Sequence, residues 1–315
     1  MKNKKVFLAF IMLLITGIAL TTASYAWFSA STQAVLGDID VNVTASNGIQ
    51  ISMDAENWKG TLTTEDIKGA AYSNNTNQIP TTLTPVSTIG SQSIGKFQMF
   101  DGIIDESGAK PLLTTSAADA EKSTTTEGHY IAFDLFVKSA ADRDIALNTG
   151  SSVVATNAAE PEKNAVDAGL MYSARVAFFN QGTDGTNTPS AAIAKATGTS
   201  ASQVIWEPNA NEHTVYATNS LGASGIMSYY GVKAAADNID ISAVSSNSNF
   251  AEVTTVTSNV GEVPTATMFS VKPGITKVRV YIWIEGQDID CENNASTGTG
   301  IKTTIKLKAV TKAAE

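Results

Sequence analysis

The clearest alternation of apolar and polar positions lies near the end of the chain. Between residues 278 and 285, β-branched residues alternate with Arg279, Tyr281 and Trp283. A period of two in β-branched and aromatic residues predicts a β-strand with one dry face. A second alternating run covers residues 301–309, and the two runs are predicted to form a hairpin with a long loop.

A second pattern of this kind lies near the start of the chain. Ile39, Val41 and Val43 alternate with polar residues, and Asn47-Gly48 follows them. Asn-Gly is a strong signal for a tight turn, so a hairpin is predicted with its return strand at residues 49–53.

Further elements complete the predicted architecture. Strands are predicted at residues 128–138, 145–147, 174–179, 204–209, 263–271, 277–285 and 302–310. Short helices are predicted at residues 64–71, 117–122, 161–170 and 189–196. Many strands with few short helices predict a mainly β fold, an antiparallel two-sheet sandwich of the jelly-roll kind with short helical inserts. Residues 27–315 are expected to form one elaborated domain.

The first 26 residues have the three parts of a secretory signal peptide. A basic start at residues 2–5 precedes a mainly apolar run at residues 6–23, and Ser24-Tyr25-Ala26 offers the small residues that a signal peptidase reads. We expect cleavage after Ala26, secretion to the extracellular matrix or cell surface, and no stable membrane insertion afterwards. The alternative is an uncleaved anchor, because the apolar run is nearly long enough to span a bilayer.

Net charge and cysteine content limit the kinds of partner that the protein is expected to bind. Cleavage would remove three lysines and no acidic residue, which changes the net charge from −9 to −12. Such a charge disfavours nucleic acid and anionic membranes as partners. Cys291 is the single cysteine, so it either pairs between subunits or remains a buried, inert thiol.

The sequence carries no recognisable catalytic motif, and we expect that the protein is not an enzyme. Its two histidines, His129 and His213, do not form the HExxH pattern of zinc proteases. The Gly222-Ala-Ser-Gly225 stretch is one residue too short for a nucleophile elbow.

One acidic segment is a candidate cation site. Asp288, Asp290, Glu292 and Asn294 alternate, which is how carboxylates in a loop can converge on one hard cation such as calcium. The alternative is a solvated acidic turn at the end of a strand. Calcium is the only cofactor that the sequence suggests.

The segment after the predicted cleavage site, residues 27–36, mixes polar with apolar residues. Exposure of its apolar side chains to water costs about 25 cal/mol of free energy for every Å² of apolar surface. These side chains are Trp27, Phe28, Val35 and Leu36. The segment can fold back on its own domain, or it can add a strand to the sheet of a neighbouring copy. Both options would remove the apolar surface from water equally well.

The same region carries a resemblance to a known family. Tyr25-Ala-Trp-Phe-Ser29, followed by Gly37-Asp-Ile-Asp-Val-Asn-Val43, resembles the export junction and first strand of the TasA/camelysin family of secreted biofilm-matrix proteins. The resemblance implies a jelly-roll domain whose N-terminal strand, here within residues 27–43, is donated to the next subunit of a fibre. Its partners would be further copies of itself and other matrix components. Camelysin also carries a metallopeptidase label, but this sequence lacks a zinc-ligand set.

Three hypotheses follow for the function. The leading one is a secreted structural subunit of extracellular matrix fibres, which assembles by strand donation. The second is a monomeric surface adhesin that binds a glycan or a protein through its Ser/Thr/Asn-rich loops. A camelysin-like metallopeptidase is the weakest of the three.

Overall fold

The structure is a computed structural model that describes residues 40–46, 48–93, 96–105, 107–118, 127–155, 169–195, 203–213, 230–241, 244–257, 266–288, 290–291 and 300–311. The predicted signal peptide therefore lies outside the described residues. Within the described part of the chain, no helix is long and apolar enough to cross a membrane.

Two six-stranded sheets pack face to face, which confirms the mainly β two-sheet sandwich of the jelly-roll kind. Sheet A contains β1 (Asp40–Ser46), β3 (Thr61–Leu62), β11 (Arg143–Leu147), β12 (Ser152–Ala155), β19 (Thr267–Val271) and β21 (Ile301–Thr311). Sheet B contains β2 (Gln50–Ser52), β10 (Tyr130–Ser139), β13 (Ala174–Asp184), β14 (Gln203–Glu207), β18 (Val256–Thr257) and β20 (Gly274–Ile284).

Smaller elements decorate the sandwich. They are the strands β4 (Thr82–Leu83), β5 (Gln92–Ser93), β6 (Lys96–Phe97), β7 (Phe100–Asp105), β8 (Leu112–Ala117), β9 (Glu127–Gly128), β15 (Tyr230–Val232), β16 (Ala236–Asp240) and β17 (Phe250–Glu252). Two short α-helices, α1 (Thr64–Lys68) and α2 (Pro189–Ile193), and 3-10 turns at Gly169–Ser173 and Val244–Ser246 complete the described chain.

The predicted helices are partly confirmed. α1 and α2 lie where helices were predicted, and the capping side chain of α1 is Thr63. The helix predicted at residues 117–122 is wrong at its start, because Ala117 ends β8, and residues 119–122 lie outside the described chain. Most of the helix predicted at residues 161–170 also lies outside it.

The hairpin predicted between the last two alternating runs is wrong. β20 lies in the middle of sheet B, where it pairs with β10 and β13, whereas β21 lies in sheet A. The long connection between these strands allows the chain to cross from one sheet to the other. Each strand then finds partners that are distant in the sequence.

The hairpin predicted at Asn47-Gly48 is also wrong. Gly48 has a φ of 82°, as a tight turn requires, but the chain passes there from β1 in sheet A to β2 in sheet B. Both strands then bury their apolar side chains in one core from opposite sides. β1 instead pairs in parallel with β21, so sheet A is mixed and not purely antiparallel.

The outer face of sheet B is covered as well as its inner face. Val278, Val280 and Ile282 of β20 lie in the main core between the sheets. Tyr281 and Trp283, on the opposite face, are fully buried in a second apolar cluster. Side chains from the segment between β4 and β7, including Val86, Phe97 and Met99, complete this cluster. The expectation of a single dry face is therefore wrong for β20.

Candidate functional site

Only part of the predicted assembly segment is described by the structure. Trp27, Phe28, Val35, Leu36 and Ile39 lie outside the described residues. Val41 and Val43 lie in β1 and are completely buried in the main core. These two valines therefore stabilise the sandwich of their own chain.

The outer edge of β1 is closed by its own chain. β3 pairs with Val43 and Thr44, and Ala45 donates a backbone hydrogen bond to the carbonyl of Gly60 (3.0 Å). The Val41 amide donates to Oγ1 of Thr64 in α1 (2.7 Å). β1 thus occupies an interior position between β21 and these elements.

A different strand has an open edge. β7 is the outer strand of a three-stranded sheet in the order β16–β8–β7. Phe100 exchanges two backbone hydrogen bonds with Ser87 at this edge, and no other strand of the described chain pairs with it. In an antiparallel pair, every second residue points its backbone N–H and C=O groups away from the partner strand. In β7 these residues include Gly102 and Ile104, whose backbone groups face away from β8. Ile103 between them is 70% exposed.

Two of the four residues predicted to bind calcium are described by the structure, and each of them has a partner within the protein. Asp288 forms an ion pair with Arg175, and Asp290 Oδ2 lies 2.8 Å from His213 Nδ1. Glu292 and Asn294 lie outside the described residues. Within the described chain, no three His, Cys, Asp or Glu side chains are grouped so that they could hold a metal ion.

Arg175 holds this end of the sandwich together. Its guanidinium is 1% exposed and lies between Asp288 and Glu207, with Nη2 2.8 Å from Glu207 Oε1. Its Nη1 atom also donates to the carbonyl of Ala174 (3.1 Å). A buried charge with several acceptors of this kind is a structural feature.

Two further titratable groups are buried nearby. Burial raises the pKa of Glu285 to about 7, against the hydrogen bonds from Ser87 and Trp283 that favour the charged carboxylate. Burial, followed by the charge of Asp288, raises the pKa of the Cys291 thiol well above its ordinary value. Cys291 is only 2% exposed, which favours the buried, inert thiol.

A cavity of about 550 Å³ lies on the outer face of sheet B. Its lining contains four basic side chains, one carboxylate and several hydroxyl and amide groups. They are Tyr72, Ser73, Asn74, Thr76, Lys96, Asp134, Gln181, Ser190, Ile193, Ala194, Lys195, Lys277 and Arg279. The loop at Tyr72, the strands β6, β10, β13 and β20, and α2 all contribute to it.

An ion-pair network fixes one wall of the cavity. Asp134 on β10 lies opposite Arg279 on β20, with Asp134 Oδ1 3.1 Å from Arg279 Nη1. The other carboxylate oxygen lies 3.1 Å from Lys277 Nζ and accepts a hydrogen bond from the Tyr72 hydroxyl (2.7 Å). Burial opposes ionisation of Asp134, but the charges of Arg279 and Lys277 outweigh it and hold its pKa below the usual value.

Both terminal nitrogens of the Arg279 guanidinium have further partners. Nη1 lies 3.0 Å from Asn77 Oδ1, and Nη2 donates to the carbonyl of Thr76 (2.8 Å). Lys277 Nζ donates to the carbonyl of Ile193, the last residue of α2 (3.0 Å). The wall therefore ties the Tyr72 loop and α2 to the sheet before any ligand arrives.

This cavity was not predicted from the sequence. One signal was available, because Lys277 and Arg279 occupy the polar positions of a strand whose neighbouring positions are apolar. A charge of opposite sign, Asp134, interrupts the other strong strand in the same way. Two opposite charges inside apolar strands indicate a cross-strand pair on a covered face.

No family model, curated protein or solved structure matches this chain. The resemblance to the TasA/camelysin family therefore stays a prediction that rests on the residues that carry it.

Proposed function

We propose that this chain is a secreted structural subunit that assembles with further copies of itself into extracellular matrix fibres. The observation that carries the proposal is the arrangement at the start of the sandwich. β1 fills an interior position in its own sheet, and residues 27–36, an uncharged segment with several apolar residues, precede it in the sequence. Because β1 already fills this position of its own sheet, donation of residues 27–36 to a neighbour would leave sheet A intact.

The donor is therefore narrower than the 27–43 region that the resemblance suggests. Val41 and Val43 are buried in their own core, so their transfer to a neighbour would open it. We assign the donor to residues 27–36 and the acceptor to the outward-facing edge of β7 on the next copy. Strand addition there would pair the open backbone groups of β7 and cover Ile103.

Deletion of residues 27–36 tests the donor. The mature protein should form filaments that electron microscopy detects, whereas the deletion variant should elute as a monomer from a sizing column with unchanged thermal stability. Filaments formed by the deletion variant would contradict the donor assignment. Failure of the intact mature protein to assemble at high concentration would contradict the proposed function itself.

Ile103→Lys tests the acceptor separately. A charge at this exposed position should block filament growth by strand addition and leave the monomer folded. Val154→Lys is the matched control, because Val154 is the other exposed large apolar residue of the described chain and lies in β12. Equal assembly of the two variants would exclude the β7 edge.

A monomeric surface-binding module is the second candidate, and the basic cavity on sheet B is the observation that favours it. A mature protein that stays monomeric at high concentration and binds a ligand in this cavity would support that function over the fibre subunit.

A further inference from the structure

We propose that the cavity on the outer face of sheet B binds an acidic sugar, a hydroxyl-rich unit with a single carboxylate. The inference does not depend on assembly, because it holds for a fibre subunit and for a monomeric module alike. It rests on the charge, the lining and the rigidity of the cavity.

The charge of the cavity is opposite to that of the whole chain. The chain carries a net charge of −9, yet the cavity is lined by four basic side chains and only one carboxylate. A concave site of one charge sign concentrates ligands of the opposite sign. The ligand is therefore an anion.

Two of the four basic groups contact Asp134, and the other two come from β6 and from the residues just after α2. Arg279 and Lys277 hold Asp134, so their charges are partly compensated inside the protein. Lys96 and Lys195 contribute two more ammonium groups from β6 and from just after α2. These two lysines are the groups that we assign to the carboxylate of the ligand.

The remainder of the lining suits hydroxyl groups. Ser73, Thr76 and Ser190 offer hydroxyls, and Asn74 and Gln181 offer amides that both donate and accept hydrogen bonds. The ionised Asp134 adds an acceptor for a ligand hydroxyl and repels a ligand of high negative charge. A single carboxylate on a polyol fits this lining better than a multiply charged phosphate.

The size and rigidity of the cavity also suit a small polar ligand. Sites for small molecules have volumes of about 300–1,000 Å³, and this cavity has about 550 Å³. The Asp134 network joins the Tyr72 loop, two strands of sheet B and α2, so the wall is ordered in advance. A ligand then loses little binding free energy to the ordering of the site.

Calorimetric titration of the mature protein with three matched probes tests the proposal. D-glucuronate carries one carboxylate, D-glucose is its neutral counterpart, and glucose 6-phosphate carries a phosphate instead. Saturable binding is expected for glucuronate, with affinity at least about tenfold weaker for glucose, because a hydrogen bond to a charged group contributes about 1.5–3 kcal/mol. Tighter binding of glucose 6-phosphate than of glucuronate would overturn the carboxylate assignment. Equal binding of glucose and glucuronate, or no saturable binding of any probe, would overturn the site.

Variants locate the binding in the cavity. Lys96→Ala and Lys195→Ala should each weaken glucuronate binding several-fold, and the double variant should weaken it at least about tenfold. Lys233→Ala is the matched control, since Lys233 is exposed and does not line the cavity. Ser190→Trp should fill the cavity and abolish binding without a change of charge. Unchanged affinity in the double lysine variant, with a folded protein by circular dichroism, would contradict the proposal.

Discussion

Glu285 makes the stability of this protein sensitive to pH. Its carboxyl is fully buried and accepts hydrogen bonds from Trp283 Nε1 (3.0 Å) and from the amide of Gln287 (3.1 Å). Burial raises its pKa from 4.5 to about 7, so the folded protein holds this proton more tightly than the unfolded chain. Stability from this group is fully present below about pH 4.5 and is lost as pH rises through about 7.

Glu285→Gln should remove that part of the pH dependence. In the unmodified protein, the contribution of Glu285 to the free energy of unfolding should fall by on the order of 3 kcal/mol between about pH 4.5 and 7. Urea denaturation across this range should show a flatter profile for the variant. Glu252→Gln, at an exposed position, is the control and should keep the original profile. A profile that is equally steep in Glu285→Gln would contradict the assignment.

Replacement of Arg175 should lower the stability of the protein strongly. Arg175→Met keeps most of the side-chain volume but leaves Glu207 and Asp288 without their shared buried cation. The expected loss is about 3–5 kcal/mol in the free energy of unfolding, measured by urea denaturation. Lys110→Met at the exposed ion pair with Asp240 should cause no measurable change. Comparable losses in the two variants would show that burial does not set the difference.

Among the elements, the junction between β1 and α1 replaces a missing strand. β3 is only two residues long, so the edge of β1 beyond it is closed by the Thr64 side chain. This hydroxyl takes the place of a backbone acceptor for the buried amide of Val41. The start of α1 is therefore part of sheet A in hydrogen-bonding terms.

Thr64→Val should expose this role. The substitution conserves shape but leaves the Val41 amide buried without its acceptor at 2.7 Å, which should cost about 1–3 kcal/mol of stability. Thermal or urea denaturation measures the loss. Thr61→Val in β3 is the control, because Thr61 is exposed and should tolerate the change. A tolerated Thr64→Val would mean that another group, such as water, satisfies the amide.

At the scale of the whole molecule, the strands were predictable but many of their partners were not. β10 and β20 lie where the alternation placed them, because burial of one face every second residue leaves a local signal. The change of sheet at Gly48 and the separation of β20 from β21 leave no such signal. The same turn residues can connect two strands of one sheet or two strands of different sheets. The cavity was not predicted because its lining comes from segments far apart in the sequence.

β21 is the strand that holds the two parts of sheet A together. It pairs with β1 on one side and with β11 and β12 on the other. Removal of residues 301–315 should therefore abolish cooperative thermal unfolding, whereas removal of residues 312–315 alone should leave it intact. Scanning calorimetry distinguishes the two outcomes. A sharp unfolding transition in the variant that lacks residues 301–315 would show that sheet A forms without β21.

The parallel pairing of β1 with β21 has a mechanical consequence. Seven consecutive register pairs, from Asp40–Lys302 to Ser46–Lys308, join the two strands side by side. Tension that draws the beginning of β1 away from the end of β21 loads these pairs together in shear, whereas an antiparallel hairpin pulled at its open end unzips one pair at a time. The first and last described strands of the chain thus form a clamp that resists a stretching force applied between the beginning of β1 and the end of β21.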